Sequence, residues 1–311
     1  MDALSEVLRL ARFDASVVLD AAAHAPWAVS APHASSLMRA HVVLEGSALL
    51  TVGSAQPLVL ESGELVLMPH GHAHLLGSET EAAAVSLATL ARPDVAGELT
   101  PVRVGGSGPA TRWIALTAVC ERHLAQPLLD ALPDVVRVPM AGAPALNALI
   151  GALGLTLSAG DAPSPGAGLR RDMIATLVLV EALRRHVTAL APRARGWIEG
   201  INDRYVGRAL ALVHGRPGEP WTVEKLGRQV GLSRSALAER FSDVMGEPIF
   251  AFLTRWRLQL AAEMLLTTPQ PIDAIARSAG YESAGAFSSV FKRQFGKPPS
   301  VWRRRVRRAA R

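Results

Sequence analysis

Residues 221–248 read WTVEKLGRQVGLSRSALAERFSDVMGEP, and residues 271–298 read PIDAIARSAGYESAGAFSSVFKRQFGKP. The second stretch repeats the apolar and glycine positions of the first, 49 residues later up to Gly231 and 50 residues later from Ser233 onward. Two copies are too few for a solenoid, whose repeats bury a common core only when three or more stack. The repeat therefore predicts two paired modules of one local structure.

The first copy has the residue order of a helix-turn-helix motif. Thr222 is placed to cap a helix over residues 223–230, and Gly231 supplies the turn. Ser233 then caps a second helix that runs through Val244. The one-residue slip between the copies falls in the turn, where an extra residue does not disturb either helix.

The second copy predicts the same arrangement, with one helix over residues 272–279 and another from Ser283 through Phe295. Between the copies, apolar residues at helical spacing predict a single helix from Pro248 to Thr267. Its predicted buried stripe is Ile249, Leu253, Trp256, Leu260 and Met264. The C-terminal third is therefore expected to be all helical.

Charge is divided unevenly along the 311 residues. Residues 1–199 carry 14 Arg and no Lys against 18 acidic residues, whereas residues 200–311 carry 19 basic against 9 acidic residues. The net charge of +6 is thus the sum of −4 and +10. A segregated basic block is the electrostatic footprint of a domain that binds a polyanion, most often nucleic acid. The six Arg of residues 301–311 are either a solvated terminus or a phosphate-binding arm.

These features resemble the DNA-binding domain of the AraC/XylS family of bacterial transcription regulators, in which a long helix joins two helix-turn-helix units. The residues that carry the resemblance are Trp221 to Leu226, Gly231 to Ser233, Leu237, Phe241, Ile275, Ala276, Gly280, Tyr281, Phe287, Phe291, Lys292, Phe295, Gly296, Pro298 and Pro299. The resemblance covers roughly residues 203–304. It implies double-stranded promoter DNA as the partner, and RNA polymerase as a second partner if the protein is an activator.

Helical spacing predicts which side chains face the DNA once the apolar positions face the core. On the first recognition helix the outward set is Arg234, Ser235, Ala238, Glu239 and Ser242. On the second it is Ala284, Gly285, Ser288, Ser289 and Lys292, with Arg293 beside them. Glu239 can accept from cytosine N4, and Ala238 can contact a thymine methyl. The second set is smaller, so we expect the first unit to read bases and the second to contact phosphates.

The N-terminal part has a different pattern, with short apolar runs separated by glycine-containing turns from Ala40 to Ser78. This spacing is typical of an all-β barrel or sandwich. Segments 27–38, 82–90 and 112–120 are further candidate strands. Residues 145–157 and 169–187 are rich in alanine and leucine and predict a helical hairpin after the barrel.

Two short motifs in this region resemble those of the cupin superfamily of small β-barrels. Gly63, Pro69, Gly71 and His74 match one motif, and His41 with Glu45 matches most of the other. Arg39 stands where the family has its first histidine, and Ser78 where it has asparagine. The N-terminal segment 2–8 and residues 41–46 also resemble the cupin-type sensor domains found in part of the AraC family.

Strand alternation places positions 39, 41, 43 and 45 on one face of their strand, and positions 70, 72 and 74 likewise share one face of theirs. Both faces can point into the barrel. We therefore expect a cluster inside the barrel that forms an effector pocket. Its residues are Arg39, His41, Glu45, His72 and His74. His41, Glu45 and His74 are candidate ligands of a divalent metal, although Arg39 would repel a cation and instead suits an anionic ligand. Cofactor binding is otherwise not expected.

Three classes of function are compatible with a barrel fused to a DNA-reading domain. The first, which we favour, is a sequence-specific regulator controlled by an unidentified small-molecule effector. The second is a DNA-binding protein with a catalytic barrel, because the cupin resemblance also includes metal-dependent dioxygenases and isomerases; the incomplete ligand set argues against an enzyme. The third is an architectural DNA binder. Cys120, beside Arg122, is either a redox-sensing thiol or an inert buried cysteine.

The predicted fold class is α+β multidomain: an N-terminal cupin-like β-barrel with flanking helices and a C-terminal all-α double helix-turn-helix domain. The predicted boundaries are 1–190 for the sensing or dimerisation domain, 191–202 for a linker, and 203–311 for the DNA-binding domain with its basic tail. An apolar stripe at Leu169, Met173, Leu177 and Val180 suggests a homodimer. A single cysteine, acidic residues at the N-terminus and the lack of a long apolar run predict a cytoplasmic protein without membrane contact.

Overall fold

The computed structural model describes residues 2–91, 102–158, 166–190 and 196–309. Its strands are β1 Asp14–His24, β2 Ala28–Ala31, β3 Leu37–Glu45, β4 Ser47–Val52, β5 Leu58–Glu61, β6 Glu64–Met68, β7 His74–Gly77, β8 Ala84–Ser86, β9 Val102–Gly105, β10 Ala110–Val119 and β11 Val136–Pro139. Its helices are α1 Ala3–Leu10, α2 Leu87–Leu90, α3 Arg122–Asp130, α4 Pro144–Ser158, α5 Ala167–Leu190, α6 Trp197–Asn202, α7 Val206–Gly215, α8 Val223–Val230, α9 Arg234–Met245, α10 Ile249–Thr267, α11 Ile272–Ser278, α12 Ala284–Phe295 and α13 Pro299–Ala309. The predicted α+β fold class is confirmed.

The chain forms two compact units, which we call the barrel unit and the helical unit. The barrel unit comprises Arg12–Arg122 and Leu132–Ala189, and the helical unit comprises Met1–Ala11, His123–Ala131 and Leu190–Arg311. This division differs from the boundaries expected from the sequence, because α1 belongs to the helical unit. The apolar face of α1, with Leu4, Val7 and Leu8 buried, packs on α7.

The barrel unit consists of two sheets that face one another across an apolar core. One sheet has the order β11-β6-β3-β10-β1-β9, and the other β5-β4-β7-β2-β8. Trp27 and Trp113 stack inside, with ring centroids 4.5 Å apart. Small side chains such as Ala21, Ala23 and Ala115 share the same core and leave room for the two indoles. The eleven-residue strand β1 was not predicted, because its central Ala-rich segment lacks clear alternation.

The helical unit matches the repeat closely at its turns. Thr222 accepts a hydrogen bond from the Lys225 N–H at 3.1 Å, and Gly231 is left-handed with φ of 88°. A left-handed residue at this position is a common helix end that favours glycine. The predicted helices at 223–230 and from 272 onward are thus confirmed as α8 and α11.

The long helix α10 is buried on more than the single stripe that the sequence predicts. Ile249, Leu253 and Trp256 are buried as expected, but Phe252 and Leu258 on other faces are buried too. The reason is that α10 packs against helices of both helix-turn-helix units, namely α9 on one side and α11 and α12 on the other. A helix between two partners needs two apolar faces.

The predicted linker 191–202 is only partly described. Residues 191–195 lie outside the described ranges, and the remainder forms α6 rather than an extended connection. Trp197 and Ile198 are buried in the helical unit, where α6 packs on α7 and α9. Buried apolar residues immediately after Gly196 account for helix formation at this point.

Candidate nucleic-acid interface and barrel site

The first recognition helix, α9, presents the face that the sequence predicts. The Ser233 hydroxyl accepts a hydrogen bond from the Ala236 N–H at 3.2 Å, which caps the helix at its start. Leu237 and Phe241 are buried and fix the rotation of the helix. The opposite face carries exposed Arg234, Ser235 and Glu239 and half-buried Ala238 and Ser242. All five predicted positions are therefore on the surface side of α9.

The second recognition helix, α12, repeats this construction. Ser283 caps it by accepting from the Ala286 N–H at 3.2 Å, and Phe287 and Phe291 are buried. Its surface side carries exposed Gly285, Ser289, Lys292 and Arg293 and half-buried Ala284 and Ser288. The Ser289 hydroxyl donates to the Gly285 carbonyl at 3.1 Å, so its proton is engaged within the helix.

A half-buried carboxylate holds α9 in place, and the sequence interpretation missed it. Asp203 receives two bonds from Arg240, with its Oδ2 atom 3.0 Å from Nε and 2.6 Å from Nη2. The same carboxylate accepts from the backbone N–H groups of Tyr205 and Val206, both at 2.9 Å. Burial raises the pKa of Asp203, but Arg240 and the backbone donors outweigh it and lower the pKa below its ordinary value. An aspartate just before an apolar helical run was the available signal.

Arg234 forms an ion pair with Glu224 of α8, with Nη1 and Oε1 3.1 Å apart. Both side chains are largely exposed. Exposed pairs of this kind contribute little to stability, because solvent and salt screen them. Arg234 can therefore exchange Glu224 for a phosphate or a base at little cost.

In the barrel unit, three of the five predicted pocket residues come together. Arg39 and His41 lie on the core-facing side of β3, and His74 comes from β7 in the opposite sheet. The Nε2 atoms of His41 and His74 are 2.8 Å apart, within hydrogen-bond distance. All three side chains are buried. The structure therefore brings Arg39, His41 and His74 together, as the sequence predicts for these three residues.

The pKa values of the three side chains in this cluster are lowered, and two of their nitrogen atoms lack hydrogen-bond partners in the part of the chain that the structure describes. Burial, His74 and Arg39 hold the pKa of His41 well below its ordinary value, and burial likewise lowers the pKa of His74. Burial also lowers the pKa of Arg39. Within the described residues, Nε of Arg39 and Nδ1 of His41 have no hydrogen-bond partner. Unpaired buried polar atoms are costly, so a ligand that accepts from Nε of Arg39 would be stabilised.

Glu45 and His72 do not join the cluster, which corrects the expectation that all five residues converge. Glu45 pairs with Arg112 beyond a β-bulge that places Leu44 as an extra residue in β3, and its side chain is exposed. A bulge shifts the alternation by one residue and re-aims the following side chain. His72 precedes β7 and stacks on the ring of His33 with centroids 5.9 Å apart.

The residues present do not fit a metal centre. Among the described residues, no group of three His, Cys, Asp or Glu side chains is arranged to hold a metal ion. Two imidazoles remain without the third ligand that Glu45 was expected to supply, and the Arg39 guanidinium lies beside them. A neighbouring fixed cation opposes the binding of a second one. A metal ion at the candidate ligands His41, Glu45 and His74 is therefore not supported.

Cys120 follows β10 in the same unit and is half-buried. Burial raises the pKa of its thiol, although Arg122 opposes the shift. A raised pKa lowers the thiolate fraction, and the thiolate is the reactive form. Of the two alternatives left open by the sequence, this environment favours the inert cysteine.

The fold and these two sites define a class: a cupin-type barrel joined to paired helix-turn-helix motifs with outward recognition helices. The cupin family model matches residues 2–188, and a helix-turn-helix domain model matches residues 226–305. The chain belongs to the family of AraC-like transcription regulators, and it is a DNA-binding regulator of transcription. In the described residues, no helix has the length and apolarity to cross a bilayer.

Two relatives that match over nearly their full length agree with this assignment. A Streptomyces antibioticus protein described as an AraC-like transcription regulator is 32% identical over 306 residues, which cover 98% of this chain and 99% of that one. The transcriptional regulator AlkR of Acinetobacter baylyi is 29% identical, with 97% and 99% covered. The DNA-binding domain of AdpA, whose crystal structure contains a target DNA, is 26% identical in sequence. The match covers 34% of this chain and 96% of that one, with a TM-score of 0.33.

Proposed function

We propose that α9 reads base edges in one major-groove segment of promoter DNA and that α12 occupies the next segment mainly through phosphate contacts. This proposal rests on one observation: the outward faces of α9 and α12 are similarly exposed but carry different side chains. The α9 face offers the long side chains of Arg234 and Glu239, whereas the α12 face is small apart from Lys292 and Arg293. Base readout needs donors or acceptors that reach the groove edges, while phosphate contacts need cations.

Selection of bound DNA from a random pool tests this division. We expect Glu239→Ala to change the preferred base at one position, since a lost base contact is worth about 1–3 kcal/mol of discrimination. We expect Ser289→Ala to leave the selected sequence unchanged. The matched control is Glu282→Ala, which removes an exposed carboxylate from the turn before α12. Unchanged preference in Glu239→Ala together with altered preference in Ser289→Ala would reverse the assignment.

We also propose that the barrel unit binds a small carboxylate effector at Arg39, His41 and His74. The support is the unpartnered Nε atom of Arg39, which can donate to a carboxylate. A groove of about 560 Å³ lies at the end of β7 and is lined by His74 with Ser30, Pro32, Thr51, Leu75 and Ser86, whereas its described lining includes neither Arg39 nor His41. This volume is in the range of small-molecule sites.

Thermal unfolding with benzoate and octanoate as probes tests the effector proposal. A carboxylate that binds only the folded barrel should raise Tm in a saturable way. We expect Arg39→Gln to abolish that rise, because it removes the charge beside the histidines. Arg137→Gln is the control, since Arg137 pairs with Glu64 on an exposed side of the same unit. An equal rise in Tm for both variants, or none with either probe, contradicts the proposal.

We propose further that α5 forms a homodimer contact. Leu169, Met173 and Leu177 recur every four residues on this helix and are 68%, 60% and 51% exposed. Leu155 of α4 is 73% exposed as well. Contiguous exposed apolar residues are uncommon on monomers and mark interaction surfaces. Action in the cytoplasm, and contact with RNA polymerase if the protein is an activator, complete the proposal.

A further inference from the structure

Arg257, in the middle of α10, is bonded to the segment that leads into the first helix-turn-helix unit. Its Nε donates to the Pro217 carbonyl at 2.6 Å, and its Nη2 donates to the Glu219 carbonyl at 2.6 Å. Both carbonyls belong to the connection between α7 and α8. Bonds from a guanidinium are charge-assisted, and the rigid fork of donors fixes direction as well as distance. The guanidinium therefore fixes this connection against α10.

The other side of the same guanidinium lies against the turn of the second unit. Gly280 ends that turn with φ of 80°, and a Cβ at this position would lie 3.0 Å from both Cζ and Nη1 of Arg257. The connection between α7 and α8 also approaches the end of α11, because a Cβ on Gly218 would lie 3.3 Å from the Ser278 carbonyl oxygen. Arg257 thus stands where the two helix-turn-helix units meet.

Arg257 is half-buried, and its bonds go to backbone carbonyls. Burial lowers its pKa, and no carboxylate among the described residues forms an ion pair with it. By contrast, Arg255 on the same helix forms an ordinary two-bond pair with Glu247 at 2.6 and 2.5 Å. The two arginines therefore differ in what they connect.

We propose that Arg257 is a positioning residue that sets the distance and angle between the recognition helices α9 and α12, and so the spacing between the two DNA segments that the protein accepts. Each recognition helix is carried by its own turn, and Arg257 contacts the connections of both units. One base pair of DNA corresponds to about 3.4 Å of rise and roughly 35° of rotation. While Arg257 holds the two recognition helices rigidly, they cannot both contact DNA whose segments are displaced by one base pair. When that contact is lost, the helices can move and both can bind. This inference rests on the proposed use of both helices on DNA.

The experiment compares binding of the full chain to operators that differ only in spacing. An operator obtained by selection is altered by inserting or deleting one base pair between the two contacted segments. We expect the wild type to lose at least about tenfold in affinity, corresponding to about 1.4 kcal/mol. We expect Arg257→Gln to lose less than about threefold, with near wild-type affinity on the original operator. Arg255→Gln is the matched control and should keep the wild-type preference.

Each outcome bears on the inference separately from the DNA-reading proposal. Tenfold discrimination that survives in Arg257→Gln overturns the role of Arg257 and leaves DNA reading intact. A wild type that binds all spacings equally contradicts the use of both helices, and with it this inference. If Arg257→Gln fails to fold, Gly280→Ala serves instead, because its Cβ would displace the guanidinium. We expect the same flattened spacing preference in that variant, and retained discrimination there would equally overturn the proposal.

Discussion

Acidification from pH 7 to pH 4 is expected to destabilise the helical unit by about 3 kcal/mol through His214 alone. This side chain is buried on α7, with its ring 4.5 Å from Trp256 and 5.5 Å from Phe252. Within the described residues, neither ring nitrogen has a hydrogen-bond partner. Burial lowers the pKa of His214 to about 3. Charging this ring inside an aromatic contact is therefore strongly disfavoured.

The direction of the effect follows from proton binding in the two states. Below a pH of about 6.5 the unfolded chain protonates this histidine, while the folded protein does not until the pH approaches 3. Stability is therefore lost as the pH falls through that window, and His214 has no effect on it above the window. Between pH 6.5 and 3 the full loss is on the order of 5 kcal/mol, at about 1.36 kcal/mol for each unit.

Hydrogen exchange of the α10 amides at several pH values, corrected for intrinsic exchange, measures this loss. We expect His214→Phe to remove most of the pH dependence, because phenylalanine has a similar shape and cannot be protonated. His24→Phe, at an exposed position of the barrel unit, should leave the dependence unchanged. Identical pH dependence in wild type and His214→Phe would show that His214 is not responsible.

Replacement of both Met173 and Leu177 by Glu is expected to convert the proposed α5 dimer into a monomer. Each fully buried side chain of this kind contributes about 1.5–3 kcal/mol, and it occurs twice in a symmetric contact. A buried unpaired carboxylate adds a further cost. A loss of only 2.8 kcal/mol already raises the dissociation constant about 100-fold, so the double variant should be monomeric at concentrations where the wild type is not.

Multi-angle light scattering over a concentration series measures this change. Val59→Glu is the matched control, since Val59 is also an exposed apolar residue of the barrel unit but lies on β5. We expect Val59→Glu to remain dimeric. A wild type that is monomeric at every concentration, or a double variant that stays dimeric, would exclude α5 as the contact.

Local signals were enough to predict the helix-turn-helix units. Thr222, Ser233 and Ser283 each accept from the backbone N–H three residues ahead, so each helix start depends on nearby residues only. Gly231 takes a left-handed conformation that few other residues adopt. Because burial of Leu237 and Phe241 fixes the rotation of α9, the outward face could be predicted from spacing alone.

Features that depend on distant contacts could not be predicted in the same way. The bulge at Leu44 is set by pairing with β10, about 70 residues away, so strict alternation wrongly placed Glu45 inside the barrel. The docking of α1 on α7 joins segments about 200 residues apart. Arg257 gives only one weak signal, a charge in a largely apolar helix, and its two carbonyl partners are visible only in the fold.

The central claim is that one chain reads specific DNA with both helix-turn-helix units on one face of the duplex. Hydroxyl-radical footprinting of the full chain on an operator obtained by selection tests this claim most directly. Two units in successive major-groove segments predict two protected stretches about one helical turn apart, on the order of 20 base pairs in all, on the same face. A single protected stretch of roughly ten base pairs, or protection equal to that on random DNA, would contradict it.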